Sequence, residues 1–111
     1  MTHDIKLIEI SCTALHERLQ QGEPCLMIDV REANELRIAP FKGARHIPLR
    51  MLEAAGPDLP KDIDIILICH HGRRSLQGCC CLAQYGLKRI MSLNGGLHEW
   101  SKKIDASIPI Y

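Results

Sequence analysis

The segment from Ile63 to Ile68 constrains the fold most, because all of its residues except Asp64 are aliphatic. β-Branched and aliphatic side chains favour an extended strand, and the absence of polar alternation indicates that both of its faces are buried. A second apolar run, from Cys25 to Ile28, ends at Asp29 in the same way. Strands of this kind are typical of parallel sheets that helices cover.

Helical patterns alternate with these strands. Ser11 is placed to cap a helix over residues 13–20 that Gly22 ends, and a helical spacing runs from Ser75 to Tyr85, where Gly78 permits close packing. Further strands are predicted over residues 6–10, 44–47 and 89–93, and shorter helical segments over residues 32–37, 49–55 and 97–102. The alternation predicts an α/β fold, a short, mostly parallel sheet with helices on both faces. With 111 residues, the chain is expected to form one domain, residues 1–111.

Charge and hydropathy exclude several classes of partner. The formal net charge is +1 and charged residues make up 24% of the chain, so neither a nucleic-acid partner nor an acidic membrane surface is expected. No apolar run is long enough to cross a bilayer, and the start, from Met1 to Lys6, lacks a secretory signal pattern. We therefore expect a cytoplasmic protein, and a monomer.

The six cysteines do not predict a disulfide framework. Cys79, Cys80 and Cys81 are consecutive in a predicted helix, where neighbouring side chains point about 100° apart and cannot pair with one another. A Cys-x-x-Cys zinc pattern is also absent, so free thiols in a reducing compartment are expected. Packing against the sheet is the simplest role for these three, with a resolving thiol or a metal ligand as alternatives, and Cys12 and Cys25 are expected to be structural.

Cys69 is different, because it ends the buried strand and the next five residues include Gly72 and two arginines, Arg73 and Arg74. A short glycine-containing loop between a strand and a helix brings backbone N–H groups and the positive end of the helix dipole together. Such a site favours a thiolate and binds anions. In parallel sheets the functional crevice lies at the carboxyl ends of the strands, where Asp29 and Arg31 are also predicted to lie.

His70 and His71 follow the cysteine directly. Adjacent histidines in a tight loop rarely both face one site, so we expect them to fill the loop or to tune the thiolate, and we predict no metal site. His46 and His98 are expected to be surface or packing residues.

Four blocks occur in order along nearly the whole chain: Met27 to Glu32, Gly43 to Leu49, Cys69-x-x-Gly72-x-Arg74-Ser75, and Leu93-x-Gly95-Gly96-x-x-x-Trp100. In this order and at these spacings they resemble the rhodanese family of sulfurtransferases. The chain departs from the family's pattern at Ala39-Pro40-Phe41-Lys42, before the second block, which bears on the shape of one wall of the site.

The resemblance implies that Cys69 is catalytic and carries sulfane sulfur as a persulfide, taken from a small anionic donor such as thiosulfate. It also implies that a thiol or a sulfur-carrier protein can be the acceptor and that no cofactor is needed. The loop residues are expected to bind the substrate: His70, His71, Gly72, Arg73, Arg74 and Ser75. Arg74 would position the donor, Arg73 would add only its field, and Ser75 would cap the following helix. Asp29 and Arg31 would support the site from the neighbouring strand, or form a purely structural charge pair.

Two other functions remain open. A relay module would receive sulfur on Cys69 from a protein donor and turn over little thiosulfate. The related dual-specificity phosphatases have a loop one residue longer than the four residues that separate Cys69 from Arg74, so a phosphatase or an arsenate reductase is disfavoured.

Overall fold

The computed structural model describes residues 8–111, and in this range the chain forms a five-stranded sheet. The strands are β1 (Glu9–Ile10), β2 (Leu26–Asp29), β3 (Arg45–His46), β4 (Ile65–Ile68) and β5 (Ile90–Leu93). Of the strand predicted over residues 6–10, residues 6 and 7 lie outside the described residues. The other strands begin and end within two residues of their predicted bounds.

All strand pairs are parallel, in the order β1-β5-β4-β2-β3. The aliphatic strand β4 lies at the centre, between β2 and β5. Its register pairs Ile68 with Asp29, so β2 and β4 end at the same level. The residues that follow these two strands, including Cys69 and Arg31, therefore meet at one edge of the sheet.

Helices cover both faces, as the α/β pattern predicted. They are α1 (Cys12–Gln20), α2 (Ala33–Ile38), α3 (Leu52–Ala55), α4 (Arg73–Ala83) and α5 (Gly96–Lys103), with short 3₁₀ turns over Leu49–Met51 and Gly56–Asp58. The side chains of β4 alternate between two apolar clusters. Ile65 and Leu67 pack with α3 and α4, whereas Ile66 and Ile68 pack with α1 and α5.

Two local predictions are confirmed. The Ser11 side chain accepts a hydrogen bond from the Ala14 amide at 3.1 Å and so caps α1. At Gly78 an added Cβ would lie 2.7 Å from a Leu67 methyl carbon, so only glycine lets α4 approach the sheet this closely. Among residues 8–111, no helix has the length and apolar character needed to span a membrane.

Candidate functional site

The loop after β4 turns directly into α4 and places Cys69 at the carboxyl edge of the sheet. Gly72 has φ +95°, a left-handed conformation that residues with a Cβ rarely adopt. It is the N-cap of α4, which begins at Arg73. The prediction that the helix begins at Ser75 and is capped by it was therefore wrong, because the left-handed turn at Gly72 lets the chain enter the helix two residues earlier.

Groups from this turn surround the Cys69 sulfur. Its Sγ lies 3.1 Å from the Gly72 amide nitrogen, and 3.4 Å from both the amide nitrogen and the hydroxyl of Ser75. Cys69 is only 1% exposed, so water does not compete for these contacts. Backbone N–H groups at a helix N-terminus stabilise negative charge, so the site favours an anionic sulfur atom at this position.

A hydrogen bond between two buried serines stabilises the turn from the side of strand β5. The hydroxyl oxygens of Ser75 and Ser92 are 2.5 Å apart, and both residues are fully buried. The Ser75 hydroxyl also donates to the Gly72 carbonyl at 3.1 Å. This pair connects the first turn of α4 to β5 and fixes the Ser75 hydroxyl beside the Cys69 sulfur.

The start of α5 packs against the opposite side of the loop. The Leu97 amide donates to the Cys69 carbonyl at 2.9 Å, and the His98 amide donates to the His70 carbonyl at 3.0 Å. A Cβ on Gly96, which has φ +61°, would lie 2.5 Å from both carbonyl oxygens. The Gly95-Gly96 pair of the fourth sequence block, at the start of α5, therefore forms part of the wall of the site.

Arg74 is bound to a carboxylate from another helix. Its two terminal nitrogens donate to Glu35 on α2 at 2.5 and 2.8 Å, and Glu35 also accepts a 2.8 Å hydrogen bond from the Tyr111 hydroxyl. The Arg74 hydrogen bonds, together with that from Tyr111, lower the pKa of Glu35 from 4.5 to about 2. The same pairing raises the pKa of Arg74, so both groups are charged at neutral pH. Arg73, in contrast, is exposed.

The pair predicted at Asp29 and Arg31 is present and buried. The guanidinium of Arg31 donates from Nη2 to Asp29 at 2.8 Å, with side-chain exposures of 0% and 2%. Arg31 also donates to the Ala39 carbonyl at 2.8 Å and to the Tyr111 hydroxyl at 3.0 Å. Through Tyr111 the pair is linked to Glu35, and so to Arg74 in the loop.

The structure brings three histidines together. His70 and His71 have ring centroids 3.9 Å apart, and the ring of His98 lies 5.1 Å from that of His71. Tyr111 stacks on His70 with a centroid distance of 3.7 Å and an interplanar angle of 5°. Burial, with the neighbouring charge of His71, lowers the pKa of His70. One ring nitrogen from each of these three histidines lies within 4.8 Å of the other two.

Four of the other five cysteines lie in surroundings that disfavour a thiolate, and all six cysteines are free thiols. Burial raises the pKa of Cys79 to about 12. It also raises the pKa values of Cys12, Cys25 and Cys81 above the ordinary range. A raised pKa leaves little thiolate near neutral pH, so these side chains are poor nucleophiles.

In the segment that departs from the family's pattern, the Ala39 carbonyl accepts a hydrogen bond from Arg31, whereas Pro40 to Lys42 lie on another part of the surface. Phe41 packs edge-to-face on Trp100, with ring centroids 5.5 Å apart. Pro40, Phe41 and Lys42 line a groove of about 410 Å³ together with Trp100 and residues near the chain end. None of the residues from Cys69 to Ser75 lines this groove.

Four residues of the site were not predicted from the sequence: Glu35, Ser92, His98 and Tyr111. Ser92 carried a signal, since it is a polar residue within the otherwise apolar strand β5. Glu35 carried a weaker one, because its side chain and that of Glu32 form a reciprocal capping box at the start of α2. That pattern predicts a helix start and gives no information about Arg74.

Comparisons with known proteins agree with this geometry. The sequence profile described as the rhodanese-like domain matches residues 11–103. A protein of Allochromatium vinosum named sulfurtransferase is 32% identical over 94 residues, which are 85% of this chain and 88% of that protein. The putative sulfur carrier protein YrkF of Bacillus subtilis is 32% identical over 97 residues, which are 87% of this chain but only 52% of that protein.

Solved structures give the same result. A rhodanese-related protein from Thermoplasma volcanium superposes with a TM-score of 0.75 at 29% identity, covering 94% of this chain and 97% of that one. A superposition over 94% of the chain shows that the two proteins share one fold.

Proposed function

The chain belongs to the rhodanese-like domain family, and we propose that it is a sulfurtransferase that carries sulfane sulfur as a persulfide on Cys69. The single observation that carries this proposal is the set of contacts around Sγ, from the Gly72 and Ser75 amides at 3.1 and 3.4 Å. We further propose that residues 1–111 act as one domain in this transfer. The six free thiols fit a reducing compartment such as the cytoplasm.

The first half-reaction loads the cysteine. The Cys69 thiolate attacks the outer sulfur of thiosulfate, a new S–S bond forms, and the bond between the two thiosulfate sulfurs breaks. Sulfite leaves with the electron pair, and the negative charge passes to the terminal sulfur of Cys69–S–S⁻. Amide groups already directed at the sulfur stabilise that charge without reorganisation.

The second half-reaction returns the enzyme to its starting state. A thiophilic acceptor, such as cyanide or the thiolate of a carrier protein, attacks the terminal sulfur. The bond between the two sulfurs on Cys69 breaks, and its electron pair returns to the Cys69 thiolate. No external oxidant or reductant is needed, because one sulfur atom moves between two nucleophiles.

Arg74 is the group that we propose binds the anionic donor. It uses two of its five N–H groups on Glu35, which leaves three for a second anion. Arg73 is exposed on the first turn and contributes its charge alone. His70, His71 and Gly72 form the rest of the donor-binding loop in this proposal.

Intact-mass spectrometry after incubation with thiosulfate tests the proposal. The reduced wild-type protein should gain about 32 Da, the mass of one sulfur, and cyanide should remove it. Cys69→Ser should gain nothing. Cys80→Ser, which removes a half-buried thiol from α4, should load like the wild type. A sulfur adduct that persists in Cys69→Ser would overturn the assignment of the carrier atom.

A relay function uses the same atom but another donor. It is favoured by the resemblance to a putative sulfur carrier protein. If thiosulfate leaves the mass unchanged while a persulfidated protein donor loads Cys69, the relay function holds and thiosulfate is not the substrate. Hydrolysis of an aryl phosphate that depends on Cys69 would contradict both functions.

A further inference from the structure

Three imidazoles converge beside the Cys69 loop. His70 and His71 are the first two residues of the loop, and His98 is in the first turn of α5. One ring nitrogen from each residue lies within 4.8 Å of the others. This cluster could not be predicted from the sequence, because His98 is distant in the chain and adjacent histidines usually point apart.

Two ring nitrogens in this cluster lack the partners that buried polar atoms require. His70 Nε2 and His98 Nδ1 are shielded from solvent, and neither has a hydrogen-bond partner among residues 8–111. Burying a polar atom without a hydrogen-bond partner is unfavourable, because the atom loses its contacts with water and gains none in return. Such atoms in a folded protein call for an explanation, and a bound ion is one of the few.

Contacts that do not depend on a ligand hold the His70 ring and the backbone of His98. The backbone hydrogen bond from His98 to the His70 carbonyl, at 3.0 Å, joins α5 to the loop. Tyr111 lies flat on the His70 ring at 3.7 Å, and its hydroxyl is fixed by Glu35 and Arg31. The His70 ring and the backbone that carries His98 are therefore held in place, whereas the His71 ring is free to turn towards them.

We propose that His70, His71 and His98 form a binding site for a divalent transition-metal ion, with Zn²⁺ as the reference ion. Imidazole nitrogens suit zinc, copper and nickel, and three histidines leave one coordination position open. With Zn–N bonds of 2.0–2.1 Å, the ligand nitrogens of a tetrahedral site lie about 3.4 Å apart. The ring nitrogens of the cluster lie up to 4.8 Å apart, so the widest of these gaps must close by about 1.4 Å. Small rotations of exposed His71 and partly buried His98 supply this movement.

The charges near the cluster permit a cation. Arg74 is the positive group that acts on His70. Its ion pair with Glu35 offsets that charge, so Arg74 does not repel a cation strongly. The Cys69 sulfur is engaged by the Gly72 and Ser75 amides and is not one of the ligands. The site is therefore distinct from the sulfur carrier, and it does not depend on the sulfurtransferase proposal.

Calorimetric titration of the reduced 111-residue chain with Zn²⁺ tests the site, and the absorption spectrum of the Co²⁺ complex identifies the type of ligand. The wild type should bind one Zn²⁺, and its Co²⁺ complex should show the spectrum of a histidine site without thiolate charge-transfer bands. His98→Ala and His71→Ala should each weaken Zn²⁺ binding by more than about tenfold. Substitution of residues that only support metal ligands already lowers metal affinity by about tenfold or more, and loss of a ligand should cost at least as much. His71 is exposed, so its removal tests the ligand without a risk to folding.

Two controls separate this site from other metal-binding groups. His16→Ala removes a histidine on α1 that packs on Trp100, and it should bind Zn²⁺ as the wild type does. Cys69→Ser should also keep the site. Unchanged Zn²⁺ affinity in both His71→Ala and His98→Ala would overturn the proposal. So would Co²⁺ bands from thiolate ligands that disappear in Cys69→Ser.

Discussion

Glu35 on α2 accepts hydrogen bonds from both terminal nitrogens of Arg74, at 2.5 and 2.8 Å. The Tyr111 hydroxyl donates to the same carboxylate and accepts a hydrogen bond from Arg31, which is paired with Asp29. A continuous set of polar contacts thus runs from the end of β2 to the first turn of α4. We infer that this set fixes where the Arg74 guanidinium lies relative to the Cys69 loop.

Arg74→Ala should impair the use of an anionic sulfur donor selectively. A hydrogen bond to a charged group is worth about 1.5 kcal/mol or more, so kcat/KM for thiosulfate should fall by at least about tenfold. Use of an uncharged organic trisulfide should fall much less. Arg73→Ala, which removes the exposed neighbouring charge, is the matched control and should change either value little. Equal losses for both donors would mean that Arg74 only supports the loop.

Glu35→Gln should change how stability depends on pH. The pKa of Glu35 is lowered to about 2 in the folded chain, so its carboxylate stabilises the fold above its unfolded pKa, near 4.5. That stabilisation is lost as pH falls from about 5 towards 2. It amounts to at most about 3 kcal/mol, and less where water screens Arg74, which is one-third exposed.

Urea unfolding at several pH values measures this effect as the difference between wild type and Glu35→Gln. The difference should be largest near neutral pH and should shrink steadily below pH 5. Glu17→Gln removes an exposed carboxylate from α1 and should show a small difference at every pH. A difference for Glu35→Gln that stays constant down to pH 2 would contradict the ion pair.

The sequence predicted those features that are encoded locally. The apolar runs that became β2 and β4, the Ser11 cap and the Gly78 close approach depend on neighbouring residues or on simple periodicity. The loop from Cys69 to Ser75 could be recognised because its residues are contiguous. Even in this loop, the start of α4 was predicted at Ser75 although the helix begins at Arg73, because the left-handed turn at Gly72, with φ +95°, leaves no periodic pattern in the sequence.

The long-range contacts of the site could not be predicted in this way. Arg74 and Glu35 are 39 positions apart, and Tyr111 and Glu35 are 76 apart. Their pairing depends on where the sheet order brings α2 and the chain end, which no local pattern specifies. The same reason explains the missed cluster, because His98 meets His70 only through the packing of α5 against the loop.

Ser75→Ala should slow sulfur loading of Cys69 more than Ser92→Ala does. Both variants lose the 2.5 Å contact between the serine hydroxyls, so each should be destabilised by about 1 kcal/mol. Only Ser75→Ala also removes the hydroxyl that lies 3.4 Å from Sγ. Single-turnover loading, followed by intact mass, should therefore slow by about tenfold in Ser75→Ala, because this variant loses the hydroxyl proton that turns from the Gly72 carbonyl to the sulfur once the sulfur is charged. Equal rates in the two variants would show that the hydroxyl supports the turn and does not act on the sulfur.

Gly96→Ala should disturb the loop far more than the same change at another left-handed glycine. Gly22 has φ +70° and open space around its Cβ position, so Gly22→Ala should lose only about 1–2 kcal/mol of stability through backbone strain. Gly96→Ala has similar strain, but its Cβ would also lie 2.5 Å from the Cys69 and His70 carbonyl oxygens. Overpacking of this kind adds about 1–3 kcal/mol and must displace the loop. Urea unfolding should show the larger stability loss in Gly96→Ala, and sulfur loading of Cys69 should slow in that variant while it stays unchanged in Gly22→Ala. If the two variants lose equal stability and load at equal rates, the start of α5 does not shape the site.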